Sequence, residues 1–100
     1  MSGAPLPEGW KSVRLTIRGR VQGVSYRYWT VTEATARGLH GWVRNRRDGS
    51  VEAFVSGLAA TVDEMIEACR QGPRAARVTD IDIQEQTTRA ETGFEQLPTA

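Results

Sequence analysis

One hundred residues, 39% hydrophobic and 25% charged, with one cysteine and a net charge of +1, fit one soluble domain. No apolar run approaches the ~20 residues of a membrane helix, and residues 1–10 lack the basic start and apolar stretch of a signal peptide. A lone Cys69 and a lone His40 exclude an internal disulfide and a cysteine- or histidine-built metal centre, so the expected protein is cytoplasmic and free of metal and cofactor.

Residues 1–10 hold two prolines and two glycines and read as a flexible leader, with Trp10 packing on the edge of a domain over 11–98. Val13, Leu15 and Ile17 alternate with Arg14, Thr16 and Arg18, the period of a strand with one buried face. Gly19 and Gly23 frame a turn. A helix over about 25–37 follows, with Ser25 as N-cap, Gly38 just past its end, and Tyr26, Trp29, Thr30, Ala34 and Ala36 inward.

Residues 42–45 and 51–55 predict two short strands, joined by Arg47-Asp48-Gly49, a hairpin signal because Asp-Gly tolerates positive φ. Val62, Met65, Ile66 and Cys69 recur at i, i+3, i+4 and i+7, the stripe of an amphipathic helix. Thr61 to Glu64 predicts a capping box, or a start one or two residues earlier, and Gly72-Pro73 a stop. A strand through Val78, Ile81 and Ile83 breaks its alternation once, which predicts a bulge or a late start. Residues 94–97 form a short edge strand. The order β-α-β-β-α-β is the α+β ferredoxin-like plan: an antiparallel four-stranded sheet, with a short fifth strand possible, and two helices on one face.

The net +1 conceals an asymmetry. Residues 11–47 carry nine basic side chains and one acid, a net +8; residues 48–100 carry four and ten, a net −6; Glu8 supplies the rest. A basic first half calls for an anionic partner, and arginine, twelve of the thirteen basic residues, presents a fork that binds phosphate bidentately. The turn after the first strand suits such a partner. Backbone N–H groups there converge next to a helix N-terminus, which carries about half a positive charge, and Arg27 lies in the first helical turn. The segment lacks the Lys-Ser/Thr ending of a nucleotide-binding P-loop. It reads as a phosphate or carboxylate cradle, or else as an ordinary strand-to-helix turn.

The run Gly19-Arg20-Val21-Gln22-Gly23-Val24-Ser25-Tyr26-Arg27 resembles the first signature of the acylphosphatases. Residues 41–52, Gly-Trp-Val-Arg-Asn-Arg-Arg-Asp-Gly-Ser-Val-Glu, resemble the second, and Gly72-Pro73 with Ala76 and Val78 resembles the helix-to-strand junction. The resemblance spans about residues 13–97, and Tyr26 stands where phenylalanine is usual. It implies metal-independent hydrolysis of acyl phosphates to carboxylate and inorganic phosphate. The phosphate would be wrapped by the loop of Arg20, Val21, Gln22, Gly23, Val24 and Ser25 and clamped by the catalytic Arg27. Asn45 would be the catalytic residue that holds the attacking water. Inorganic phosphate is the expected product and weak inhibitor of a monomer that binds neither nucleic acid nor membrane.

The alternative from another class is an RNA-recognition-like module without catalysis, which shares the element order and would use the basic half. It needs exposed aromatics on the central strands. The first strand offers none, and Phe54 stands alone. His40 reads as a surface or partly packed residue, Cys69 as core, and Arg46 and Arg47 as a solvated hairpin tip.

Overall fold

The computed structural model describes residues 4–100. β1 (Trp10–Arg20) pairs antiparallel with both β3 (Val51–Leu58) and β4 (Arg77–Gln86), and β2 (His40–Asn45) pairs antiparallel with β3. β5 (Phe94–Gln96) adds a short parallel strand to β2, so the sheet runs β4-β1-β3-β2-β5. The two helices, α1 (Tyr26–Ala36) and α2 (Ala59–Gln71), cover one face. This is the expected ferredoxin-like sandwich, and the fifth strand is present.

The core follows the alternation in the sequence. Val13, Leu15 and Ile17 of β1 lie opposite Val55, Ala53 and Val51 of β3, and all six are fully buried. Val62, Met65, Ile66 and Cys69 bring the α2 stripe onto that face, while α1 contributes Tyr26, Thr30 and Ala34. Ala36, expected inward, is exposed. Two residues past Ala34 it has turned about 200° around the axis, away from the sheet.

Two helix-start signals read differently in the structure. Ser25 occupies the N-cap position of α1, but its backbone is left-handed at φ 65° and its side chain caps nothing. Thr61 does not cap α2; the helix starts at Ala59, with Leu58 in extended geometry before it. At the other end of α1 the expected stop holds. Leu39 N–H donates to Ala34 O and Gly38 N–H to Thr35 O, the paired bonds of a Schellman motif. The break between Val78 and Ile81 is a bulge: Arg18 pairs with Asp80 and Gly19 with Val78, leaving Thr79 as the extra residue.

Of the stretch read as a leader, residues 1–3 lie outside the described residues. Pro5 bridges to Thr88, Arg89 N–H donates to Ala4 O, and Trp10 already belongs to β1. The Trp10 ring stacks on His40 at 5.6 Å, and the Arg89 guanidinium lies 4.5 Å from its centroid. His40 is thus a packed residue whose Nδ1 accepts the Gly93 N–H. No helix among the described residues is long and apolar enough to cross a membrane.

Candidate active site

The turn after β1 and the end of β2 meet at one end of the sheet. Residues 20–25 leave β1 past its last pairing with β3, Ile17 to Val51, and curl into α1. Gly23 has φ +74° and Ser25 φ +65°; glycine takes the first without strain, whereas serine there is held against its preference. None of the N–H groups from Val21 to Ser25 donates to a partner among the described residues. Strained backbone with free donors at a helix N-terminus makes an anion-binding concavity.

A pocket of about 180 Å³ opens there, lined by Val21, Gly23, Ser25, Tyr26, Arg27, Tyr28, Asn45 and Gln96. It brings Arg27 and Asn45 together from separate elements. Neither side chain has a hydrogen bond or ion pair among the described residues, so both are free to take a ligand. Arg20 is exposed at the end of β1 opposite Arg77, outside the lining, and Val24 packs toward the core. Gln22 turns its side chain away to the β2–β3 hairpin. Tyr28 and Gln96, which the motif reading did not single out, complete the rim. Gln96 arrives on the short edge strand, and only the β2–β5 pairing reveals its proximity.

The basic half of the chain is largely neutralised by folding. Lys11, Arg14, Arg18, Arg37, Arg44 and Arg46 form ion pairs with Asp63, Glu52, Asp80, Glu33 or Glu64. Arg20, Arg27 and Arg47 form none among the described residues, and all three lie at the pocket end of the sheet. Of the nine basic side chains in residues 11–47, these three are the ones left without an acidic partner among the described residues.

Glu52 is the hub of this pairing. It is 5% exposed and accepts from Arg14 at 3.0 Å, Arg44 at 2.8 Å and Arg46 at 2.8 Å. Burial alone would raise its carboxyl pKa, but hydrogen bonds from Arg46 and Arg44 and the charge of Arg14 outweigh it and hold it below the usual range. The sign for stability follows. The unfolded chain binds this proton more readily, so the contribution is fully present above the ordinary carboxylate pKa and is lost as pH falls through the depressed one. Urea titrations between about pH 7 and pH 3 are expected to show this acid loss, and Glu52→Gln to flatten part of it. An unchanged acid limb in the variant would show that the cluster contributes nothing.

Tyr26 accommodates its extra hydroxyl. The buried phenol donates to Cys69 O at 2.5 Å, and its ring lies against Gly72, where a Cβ would come within 2.5 Å of Cε2. Burial pushes the phenol pKa strongly upward and the Cys69 thiol to about 12, so both stay neutral. Cys69 is thus a core residue. Tyr26→Phe is expected to lower unfolding free energy by about 1 kcal/mol in urea titration, with turnover within about two-fold of the parent.

The open face of the sheet bears a larger recess of about 490 Å³, walled by Trp42, Phe54 and the connection from Arg89 to Glu95. Phe54 does not stand alone: its ring centroid is 6.1 Å from that of Trp42 on the paired strand. That aromatic pair is no vacant stacking platform, since the Arg44 and Arg14 guanidinium groups lie 4.8 and 5.7 Å from the Trp42 centroid. Among the described residues no cluster of three or more His, Cys, Asp or Glu side chains is placed to hold a metal.

A ferredoxin-like sandwich with a glycine-containing strand-to-helix loop and an unpaired arginine at one end of its sheet defines the class: a small α+β domain. The sequence profile of the acylphosphatases matches residues 13–96, and the chain belongs to that family. It is 50% identical to an acylphosphatase from Rhizorhabdus wittichii over 99% of both chains. The crystal structure of acylphosphatase from Bacillus subtilis overlays with a TM-score of 0.83 at 36% identity, covering 87% of this chain and 98% of that one. An acylphosphatase from Coxiella burnetii overlays with a TM-score of 0.86 at 27% identity, covering 90% and 95%.

Proposed function

We propose that the chain hydrolyses acyl phosphates, with Arg27 and Asn45 as its catalytic residues. The observation that carries the assignment of roles is the pocket itself: two unpaired polar side chains from α1 and β2 face one cavity walled by free backbone donors. The N–H groups of residues 21–25 and the Arg27 guanidinium hold the phosphoryl oxygens, and the Arg20 side chain adds positive field from the end of β1. Asn45 orients a water for in-line attack on phosphorus. A phosphorus–oxygen bond to the incoming water forms as the bond to the acyl oxygen breaks, and the electron pair leaves with the carboxylate.

No acid is needed for that departure, because the leaving carboxylic acid has a pKa near ~4. The water's proton passes to a phosphoryl oxygen. The lining supports this route, since it contains no histidine and no carboxylate to act as base. Phosphoryl transfer rests mainly on positioning and charge stabilisation, which this set of groups supplies. The rate is therefore expected to be flat across neutral pH; a single protein group titrating near pH 7 in kcat would count against the scheme.

The same reading makes inorganic phosphate a weak competitive inhibitor and the protein a cytoplasmic monomer that engages no nucleic acid. The arginines lying over Trp42 support the last point. The test is release of phosphate from an aromatic acyl phosphate in the presence of a chelator. Turnover is expected there; no turnover, combined with retention on immobilised RNA, overturns the reading in favour of a binding module.

A further inference from the structure

The loop of residues 20–25 and the hairpin of residues 46–50 extend past the last β1–β3 pair as two separate projections. One side chain joins them. The Gln22 Nε2 donates to Arg46 O at 2.7 Å and to Ser50 O at 2.9 Å, using both of its protons. These carbonyls form the neck of the hairpin: Arg46 N–H donates to Ser50 O at 2.8 Å, and Gly49 N–H donates to Arg46 O. Asn45 is the residue immediately before that neck. Among the described residues no other hydrogen bond crosses between the two projections.

We propose that the Gln22 side chain is a positioning latch that sets the anion loop in register with Asn45. The inference rests on the roles given above to the loop and to Asn45. The Gln22 backbone belongs to the phosphate-wrapping loop, whereas its carboxamide faces the hairpin and does not line the pocket. A phosphoryl group held by the loop and a water held by Asn45 must meet within a few tenths of an ångström, and a displacement of about 1 Å can cost about a hundred-fold in rate. The latch fixes that distance.

The chemistry of the contact makes it testable in two ways. Gln22→Met keeps the length and removes both donors. It is expected to lower kcat about ten-fold in the parent, with the inhibition constant of inorganic phosphate within about two-fold, and to lower kcat less than about two-fold in an Asn45→Ala background. Gln22→Glu sets a carboxylate against two carbonyl oxygens at neutral pH and regains one donor when protonated. Its kcat is expected to recover as pH is lowered toward about 5, while that of the parent stays flat.

A parent chain that releases no phosphate overturns the functional reading and the latch with it. If the parent turns over but Gln22→Met costs the same factor in both backgrounds, the latch alone is overturned. The same holds if phosphate affinity falls in step with kcat, or if the Gln22→Glu defect is independent of pH.

Discussion

Replacing Arg27 with alanine is expected to lower kcat/KM for an acyl phosphate about a thousand-fold, with a matching loss of affinity for inorganic phosphate. The guanidinium is the one charged group in the pocket lining, and the backbone N–H groups beside it offer only partial charges to the transferring phosphoryl group. The fold should survive the change. Arg27 is half-buried, lies in the first turn of α1 and forms no ion pair among the described residues, so its removal strands no buried partner. Arg27→Lys sharpens the test. It keeps the charge but loses the planar fork that meets two oxygens at once, so most of the defect should remain. Colorimetric assay of phosphate release and a thermal melt on the same samples separate the two effects. An alanine variant that turns over at the parent rate would remove Arg27 from the mechanism.

How far this site was legible in the sequence depends on how local each feature is. The strand of Val13, Leu15 and Ile17, the α2 stripe and the Asp-Gly hairpin each rest on side-chain periodicity or on a turn residue. Burial followed the pattern in each. The irregular step from Val78 to Ile81 likewise marked a real bulge. Cap signals misled because a cap is a backbone geometry, and residue type only biases it. Ser25 has the chemistry of an N-cap, yet its left-handed backbone serves the curl of the anion loop.

Charge was legible as a total and illegible as a field. Nine basic residues in the first half call for an anionic partner. The pairing of Arg14 with Glu52 and of Lys11 with Asp63 joins residues far apart in the chain, and such pairs follow from sheet order and helix placement, not from spacing. Arg44 and Glu52 are the exception. Once the hairpin turn is set at residues 47–49, those two positions face each other across it. The anion loop and Arg27 could be read locally, because strand, glycines and helix start are contiguous. Asn45 could not: an asparagine at a strand end carries no local mark, and resemblance to the acylphosphatases alone singled it out. The structure then places it beside Arg27 on grounds independent of that resemblance.

Asn45 therefore carries the second large expectation. Asn45→Ala should lower kcat about a hundred-fold while inorganic phosphate binds within about two-fold of the parent, because a water-orienting group acts in the transition state and not on the bound anion. The backbone at this position is fixed without the carboxamide: residue 45 pairs with Val51, and its carbonyl accepts the Ala100 N–H at 3.0 Å. Truncation should thus leave the pocket's frame in place. Asn45→Asp tests the same point with an isosteric group. Its carboxylate at neutral pH would repel the phosphoryl oxygens, so phosphate inhibition should weaken and then recover as pH falls toward the ordinary carboxylate pKa of about 4. Parallel loss of kcat and phosphate affinity in the alanine variant would assign Asn45 to anion binding instead. The water would then have to be held by Gln96, the other carboxamide in the lining.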